Sequence, residues 1–480
     1  MNGLRAGCAR DGRWSVSETF TAFFSLRSSA LICACVLFLS ACAVGPDYRK
    51  PEAEVPGEWK EAADWKPAQP ADTQPKGKWW EAFQDPILSG LVEQVEVSNQ
   101  QLQAALARYT QARAQVEIAR ASLFPSLGYS ADASRAKRAG TPAVSSYGAS
   151  LDAHWEVDLW GRVRRTVEAA GATAEASAAD LEAMKLSLQA QVATNYFLLR
   201  ATDVGRELLD DSAKNFERSY VLTQNRYAAG VAARADVVQA EAQLRSTQAS
   251  AIDLRVTRAN LEHAIANLVG KPPSALTIEP IPFKAHMPEI PPGIPSTLLE
   301  RRPDIAAAER RVASANARIG VAEAAYFPSL DLTASIGFAS GSAAHLFTAP
   351  NQVWSLGAAL AGTILDFGAR AGAVSSAKGA YDESVANYRQ TVLDAFGEVE
   401  DNLAALHWLG EEVKVQEQAT RAARESVVLI ENQYRAGIVS ILNVIILQNT
   451  QLNEERNMVT LVTRRLNATV ALIRALGGTW

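Results

Sequence analysis

Proline is absent from residues 143 to 271 and from 351 to 480. That gap constrains the fold, because a proline inside a helix removes a hydrogen bond and clashes with the preceding turn. Seven of the 20 prolines fall between Pro46 and Pro86, and eight more between Pro272 and Pro295. Two linker-like segments therefore flank two long proline-free arms. Residues 161 to 227 form an uninterrupted helical pattern in the first arm, with Leu181, Met184, Leu188, Val192 and Leu199 recurring at three, four and seven and alanine filling much of the rest. Such a helix runs roughly 100 Å at 1.5 Å per residue, and its small residues permit the close approach seen in coiled coils. No globular domain of this size needs one.

The arms read as copies. Arg226-Tyr-Ala-Ala-Gly230 recurs as Gln433-Tyr-Arg-Ala-Gly437, Asn260 as Asn467, and Leu268-Val-Gly270 as Ala475-Leu-Gly477, all at an offset of 207. Upstream, Phe124-Pro-Ser-Leu127 recurs as Phe327-Pro-Ser-Leu330 at an offset of 203. A period near this length is a duplicated domain and not a short solenoid repeat. The expected division is 1–41 leader, 42–86 Pro- and Trp-rich N-terminal segment, 87–271 first repeat, 272–296 linker and 297–480 second repeat.

Each repeat begins with a helical pattern, residues 87 to 123 in the first, which must end near Phe124 because Pro125 pushes its predecessor out of the α region. Alternation then replaces it. Tyr147, Ala149, Leu151, Ala153, Trp155, Val157 and Leu159 alternate with Gly148, Ser150, Asp152, His154, Glu156 and Asp158 without an error, the period-two signature of a strand. The pattern predicts β-hairpins at 126–159 and 329–366, each strand apolar on one face and small or polar on the other. Strands of about 10 residues with this alternation have the length that crosses a bilayer when tilted. Four of them cannot close a barrel, and open edges in hydrocarbon leave backbone groups unpaired. The four strands must then join those of other copies, eight strands from two or twelve from three. An eight-stranded barrel is filled by its own side chains, so a conducting pore favours twelve. A soluble sandwich with one wet face is the competing reading.

The four cysteines, Cys8, Cys33, Cys35 and Cys42, all precede residue 43, which excludes disulfides, thiolate metal sites and cysteine nucleophiles from the rest of the chain. Four arginines precede the apolar run Leu31 to Leu39, too short to span a bilayer, and Leu39-Ser40-Ala41-Cys42 looks like a bacterial lipobox. Cys42 would then be the first mature residue and carry lipid. Without the four arginines and two acids of residues 1–41, the 47 basic and 52 acidic side chains become 43 and 50, a net charge of −7. A nucleic-acid partner held by a basic surface is excluded on that balance.

Taken together, Cys42-Ala-Val-Gly-Pro-Asp-Tyr48, Trp79-Trp80 with Phe83-x-Asp85-Pro86, Leu298-Leu-Glu-Arg-Arg-Pro-Asp-Ile305, both Phe-Pro-Ser-Leu motifs and both Tyr-x-x-Gly turns resemble the outer membrane factor (TolC-like) family, within it the NodT-type lipoprotein branch. The resemblance spans nearly the whole mature chain. It implies an α+β membrane protein: a homotrimer with a 12-stranded barrel, four strands per chain, continued by a long α-helical periplasmic barrel. It implies a passive exit duct for small molecules, lipid-anchored in the outer membrane and docked on a periplasmic adaptor protein and an inner-membrane transporter of the resistance-nodulation-division type. A duct for type I protein secretion and a pore-free periplasmic coiled-coil scaffold are the alternatives.

The same resemblance places a periplasmic gate just after the second Tyr-x-x-Gly turn, at Leu442, Asn443 and Ile446, with Asp236 at the copied position of the first repeat. Where related proteins often carry acids, this turn is apolar. A constriction of Leu442 and Ile446 is one reading and ordinary helix packing the other. The turns Tyr227, Gly230, Val231 and Tyr434, Gly437, Ile438 are candidates for adaptor docking, and also plain helix C-caps. Asp132, Asp152, His154, Glu156, Asp158 and Asp331 are expected to face a lumen, or simply a solvated surface. Arg162, Arg164 and Arg165 open the long helix, where the macrodipole disfavours cations. Contact with inner-leaflet phosphates is the expectation, with Trp155, Trp160 and Trp354 as interfacial aromatics. No catalytic motif is present: the chain lacks a Lys-Ser or Lys-Thr phosphate loop, His-Glu-x-x-His and Gly-x-Ser-x-Gly, and its five histidines are scattered.

Overall fold

The computed structural model describes residues 43–57, 59–60, 77–283, 286–288 and 301–478. The predicted leader, Cys42 and parts of both proline-rich segments lie outside the described residues. A 3₁₀ turn (Trp79–Phe83) precedes α1 (Pro86–Ser98), α2 (Gln100–Ala121), β1 (Ser126–Ala136), β2 (Val144–Val157), α3 (Arg162–Ala228) and α4 (Arg234–Leu268). The order then recurs as α5 (Pro303–Ala324), β3 (Ser329–Ser340), β4 (Gln352–Ala361), α6 (Ala369–Arg435) and α7 (Ile441–Ala475). Both α3 and α6 have 67 residues, and both α4 and α7 have 35. Among the described residues no helix is long and apolar enough to cross a membrane.

One expectation is corrected at once. The helical pattern over 87 to 123 is two helices, broken at Asn99, whose backbone is extended (φ −67, ψ 122). Asn99 caps α2 by accepting from the Leu102 N–H at 2.9 Å, while its amide donates to the Leu268 carbonyl at 2.7 Å. An asparagine that satisfies a helix start on one side and a helix end on the other outweighs the periodicity on either side of it.

Packing sorts the chain into two compact units, each drawing on both repeats. The first comprises the described part of Met1–Tyr48 with Val116–Ala169 and Ala315–Gly379; the second comprises Arg49–Gln115, Ala170–Ser314 and Ala380–Trp480.

In the first unit the four strands form one antiparallel sheet in the order β1-β2-β3-β4. The central join is between the hairpins: β2 pairs β3 from Tyr147 opposite Ser340 to Val157 opposite Leu330. Register puts Leu127, Tyr129, Leu151, Trp155, Leu332, Ile336, Trp354, Leu356 and Leu360 on one face. Much of that face is bare: Tyr129 is 87% exposed, Leu356 76% and Trp354 71%.

The second unit is helical, and its core explains the sequence motifs. Asp85 accepts from the Ile87 and Leu88 N–H groups at 2.9 and 3.0 Å, capping α1, while Pro86 occupies the first helical position. Its second oxygen accepts from the Tyr196 hydroxyl at 2.6 Å. Burial, and then this hydrogen bond, push the Tyr196 pKa well above its ordinary value. Trp79, Trp80, Phe83, Leu88, Val92 and Val95 are buried around that anchor, each such aliphatic contributing about 1.5–3 kcal/mol. Arg200 is fully buried; it donates to the Glu279 carbonyl at 2.8 Å and stands over the Tyr196 ring. Arg258 bonds Asp203 at 2.7 Å and the Ile278 carbonyl, so two arginines pin the chain after α4 to the helices.

The second repeat closes differently. Arg302 donates to both oxygens of Asp304 (3.0 and 2.6 Å), to Glu398 at 2.9 Å and to the Ala475 carbonyl at 3.2 Å. Arg302 follows Asn99 by 203 residues, and Ala475 follows Leu268 by 207, so each repeat meets the same carbonyl with the same position. Just beyond, Gly270 and Gly477 take φ of +69 and +84, and a Cβ on Gly270 would overlap the Ser98 carbonyl. Replacing Gly270 with alanine should therefore cost about 2 kcal/mol or more, from backbone strain plus that clash. Thermal unfolding in detergent checks this, and an unchanged midpoint overturns it.

Candidate functional site

The sheet and the two Tyr-x-x-Gly helical turns carry the candidate residues, and each lies within a single unit. Opposite the bare apolar face, register gathers Asp132, Asp152, His154, Glu156 and Asp331 with Ser130, Ser150, Thr333 and Ser335. Three hydroxyls converge on Asp152: Ser335 and Ser150 donate at 2.7 and 2.8 Å and Ser130 at 3.2 Å. His154 Nε2 lies 3.7 Å from Asp331. This face can solvate a polar solute or an aqueous column.

Asp158 does not belong to it. The carboxylate sits past the end of β2 and caps α3, accepting from the Val163 and Arg164 N–H groups at 3.0 and 2.9 Å. The expectation for Asp158 is corrected on that ground. The arginines behind it are bonded within the chain, and for Arg165 the expected phosphate contact is corrected. Arg162 makes a two-pronged pair with Glu156, Arg164 bonds Asp158 at 3.2 Å, and the Arg165 side chain is only 7% exposed. Carboxylates of this chain offset the unfavourable placement of Arg162 and Arg164 at a helix start. Arg165 is buried and cannot reach a phosphate.

Trp155 lies third from the end of β2, and Trp354 third from the start of β4, at opposite edges of the apolar face. Trp155 donates to the Leu123 carbonyl at 3.1 Å. Trp160 donates to the Pro328 carbonyl at 2.8 Å and stacks on Phe327 with ring centres 4.8 Å apart. The second Phe-Pro-Ser-Leu motif thus braces Trp160, and the carbonyl just before the first one braces Trp155.

In the helical unit, α3 and α6 end in the same motif. Gly230 and Gly437 take φ of +75 and +77. Val231 donates to the Arg226 carbonyl and Gly230 to Tyr227; Ile438 donates to Gln433 and Gly437 to Tyr434. These six-to-one and five-to-two bonds satisfy carbonyls that a helix end otherwise leaves open, and only glycine takes the left-handed turn without strain. Tyr227, Val231 and Ile438 remain exposed, at 46, 64 and 73%. Tyr434 does not: it is 6% exposed, its ring under the Arg226 guanidinium and its hydroxyl 3.3 Å from Thr223. Its candidacy as a docking residue is corrected, because no surface is left to a partner.

Just past the second turn, α7 separates its residues by face. Ile441, Val444 and Ile445 are buried with Ala240 and Tyr434, while Leu442, Asn443 and Ile446 point outward, Leu442 41% and Ile446 51% exposed. Packing within this chain is therefore not what uses Leu442 and Ile446. Asp236 is spoken for locally, accepting from the Ala233 N–H at 3.1 Å to cap α4. Sequence reasoning missed one neighbouring feature: Gln243 and Asn449 exchange two amide hydrogen bonds, at 2.7 and 2.9 Å, tying α4 to α7 one turn beyond Ile446. Their offset of 206 against the general 207 was the available signal. Among the described residues no His, Cys, Asp and Glu side chains are grouped to hold a metal ion.

The family described as outer membrane efflux protein matches residues 91–271 and 294–478. The chain is 32% identical over 464 residues to the probable efflux pump outer membrane protein TtgC of Pseudomonas putida, covering 95% of this chain and 96% of that one. It is 32% identical over 418 residues to nodulation protein T of Rhizobium leguminosarum bv. trifolii, 85% of this chain and 88% of the relative. Among solved structures, the outer-membrane channel OprN is similar with a TM-score of 0.85 at 32% identity, covering 92% of this chain and all (100%) of that one. A chain with these matches and this apolar sheet face belongs to the outer membrane efflux protein family, in its NodT-type branch, as an outer-membrane efflux channel that extends into the periplasm.

Proposed function

We propose that three copies of the chain close a 12-stranded barrel and act as the passive exit duct of a tripartite system, taking small molecules from an inner-membrane transporter of the resistance-nodulation-division type through a periplasmic adaptor. The observation that carries this reading is the sheet itself. It has four strands, a bare apolar face, a hydrogen-bonded polar face, and outer edges on β1 and β4 that no other strand covers among the described residues. Backbone groups on such edges cannot be left unpaired in hydrocarbon. Twelve strands leave an aqueous lumen for the carboxylates that eight would crowd. Cys42 carries the lipid that anchors the mature N-terminus, at least two acyl chains being needed for firm attachment. The energy source lies in the partner, since the sequence carries no nucleotide-binding or hydrolytic motif.

Purified protein is expected to run as a heat-sensitive trimer and to give single-channel currents in planar bilayers. A monomer, or a trimer silent under every gate substitution below, would leave the scaffold reading in its place. Loss of the gene should sensitise cells to small toxic molecules without blocking protein secretion.

At the far end, the outward Leu442 and Ile446 of the three copies form an apolar constriction that gates by excluding water. Changing both to serine should raise resting conductance several-fold; an unaltered current would assign the closed state to other residues. The exposed Val231 and Ile438 form the contact with the adaptor. Val231→Asp with Ile438→Asp should abolish adaptor capture while the trimer survives, because neither substitution touches the glycines that shape the turns. Undiminished capture places the docking surface elsewhere.

A further inference from the structure

Most hydrogen bonds of Arg165 run to a segment more than a hundred residues earlier. Its guanidinium donates to the Val44 carbonyl at 3.3 Å, to the Gly45 carbonyl at 3.2 Å and to Asp47 at 2.9 Å, and on the other side to Glu168 at 2.8 Å. Asp47 is almost fully exposed, so that ion pair alone holds little. The two carbonyls matter more, because Arg165 itself is buried and a buried cation left without acceptors is strongly disfavoured.

Other contacts converge on the same few residues. The Val44 N–H donates to the Trp160 carbonyl at 2.9 Å, and the Asn316 amide donates to the Pro46 carbonyl at 2.9 Å. Gly45, at φ +100, lies so close to Gly320 that a Cβ on it would overlap the Gly320 backbone. A Cβ on Gly320 would in turn press on the Val44 carbonyl and on Arg165. Ala43 rests against Gly161, next to the Trp160–Phe327 stack. Nothing in a flexible spacer requires such a fit.

We infer that Arg165, Asn316 and the facing Gly45 and Gly320 form a seat that fixes where the N-terminal segment leaves the sheet, with Arg165 its positioning residue. Ala43 and Val44 are thereby held beside Trp160, just past the end of β2. The inference rests on the reading that residue 42 carries lipid: the anchor then enters the membrane at one point against the strands and not at the end of a swinging tether.

The test uses the full-length trimer in detergent, with a specific protease site inserted between Lys50 and Pro51, and cells labelled with palmitate. After cleavage, the short N-terminal peptide should stay with the trimer through gel filtration, detected by mass and by label. Arg165→Met should speed its release at least roughly tenfold, as expected for losing charge-assisted hydrogen bonds, and Asn316→Ala by a smaller factor. Because Asn316→Ala removes a single hydrogen bond, it keeps the test informative if Arg165→Met does not assemble. Immediate loss of the peptide from the parent trimer, or equal retention in Arg165→Met or, where that variant does not assemble, in Asn316→Ala, overturns the seat. A retained peptide without label would instead sink the lipidation reading and leave the seat standing.

Discussion

Hydrocarbon offers no hydrogen bonds, and the four-stranded sheet is organised around that fact. Its inner joins are complete: eleven paired positions link β1 to β2, from Ser126 opposite His154 to Ala136 opposite Val144, and the β2–β3 join is as long. Its two outer edges are unpaired among the described residues. A sheet in this condition suits the closed barrel proposed above, in which the exposed Leu127, Tyr129 and Leu356 would face lipid. An apolar stripe on a 67-residue helix has no globular core to enter, so neighbouring helices must supply its burial.

Much of this was legible because two periods dominate the sequence. Thirteen alternating residues around Ala153 announce a strand, and the proline-free arms announce helices whose observed bounds, Arg162–Ala228 and Ala369–Arg435, start and stop at the expected glycines. What periodicity could not show was where a polar side chain spends its hydrogen bonds. Asp158 continues the alternation of β2 yet caps a helix, and Tyr434 sits in a turn motif yet packs under Arg226. The break at Asn99 had the same origin, since one side chain served two helix ends that are distant in sequence.

The arginines teach the complementary lesson. A cation in the first turn of a helix was correctly read as needing a reason, but a sequence names no partner. For Arg162 and Arg164 the partners are the carboxylates of Glu156 and Asp158, six residues back in each case. For Arg165, Glu168 apart, they lie 118 to 121 residues away. Only the fold brings the chain after residue 42 to that point.

The paired carbonyls of Leu268 and Ala475 show how far the two halves have diverged. Both helix ends are met from the equivalent position, but Asn99 is neutral and holds one helix to another, whereas Arg302 also gathers Asp304 and Glu398, and Arg474 adds a second cation to Glu398 at 3.2 Å. One half is locked by geometry and the other by charge. The Arg302 side chain is only 9% exposed, so salt screens its ion pairs weakly; the two halves differ in how their helix ends are held and not in how far ionic strength can loosen them.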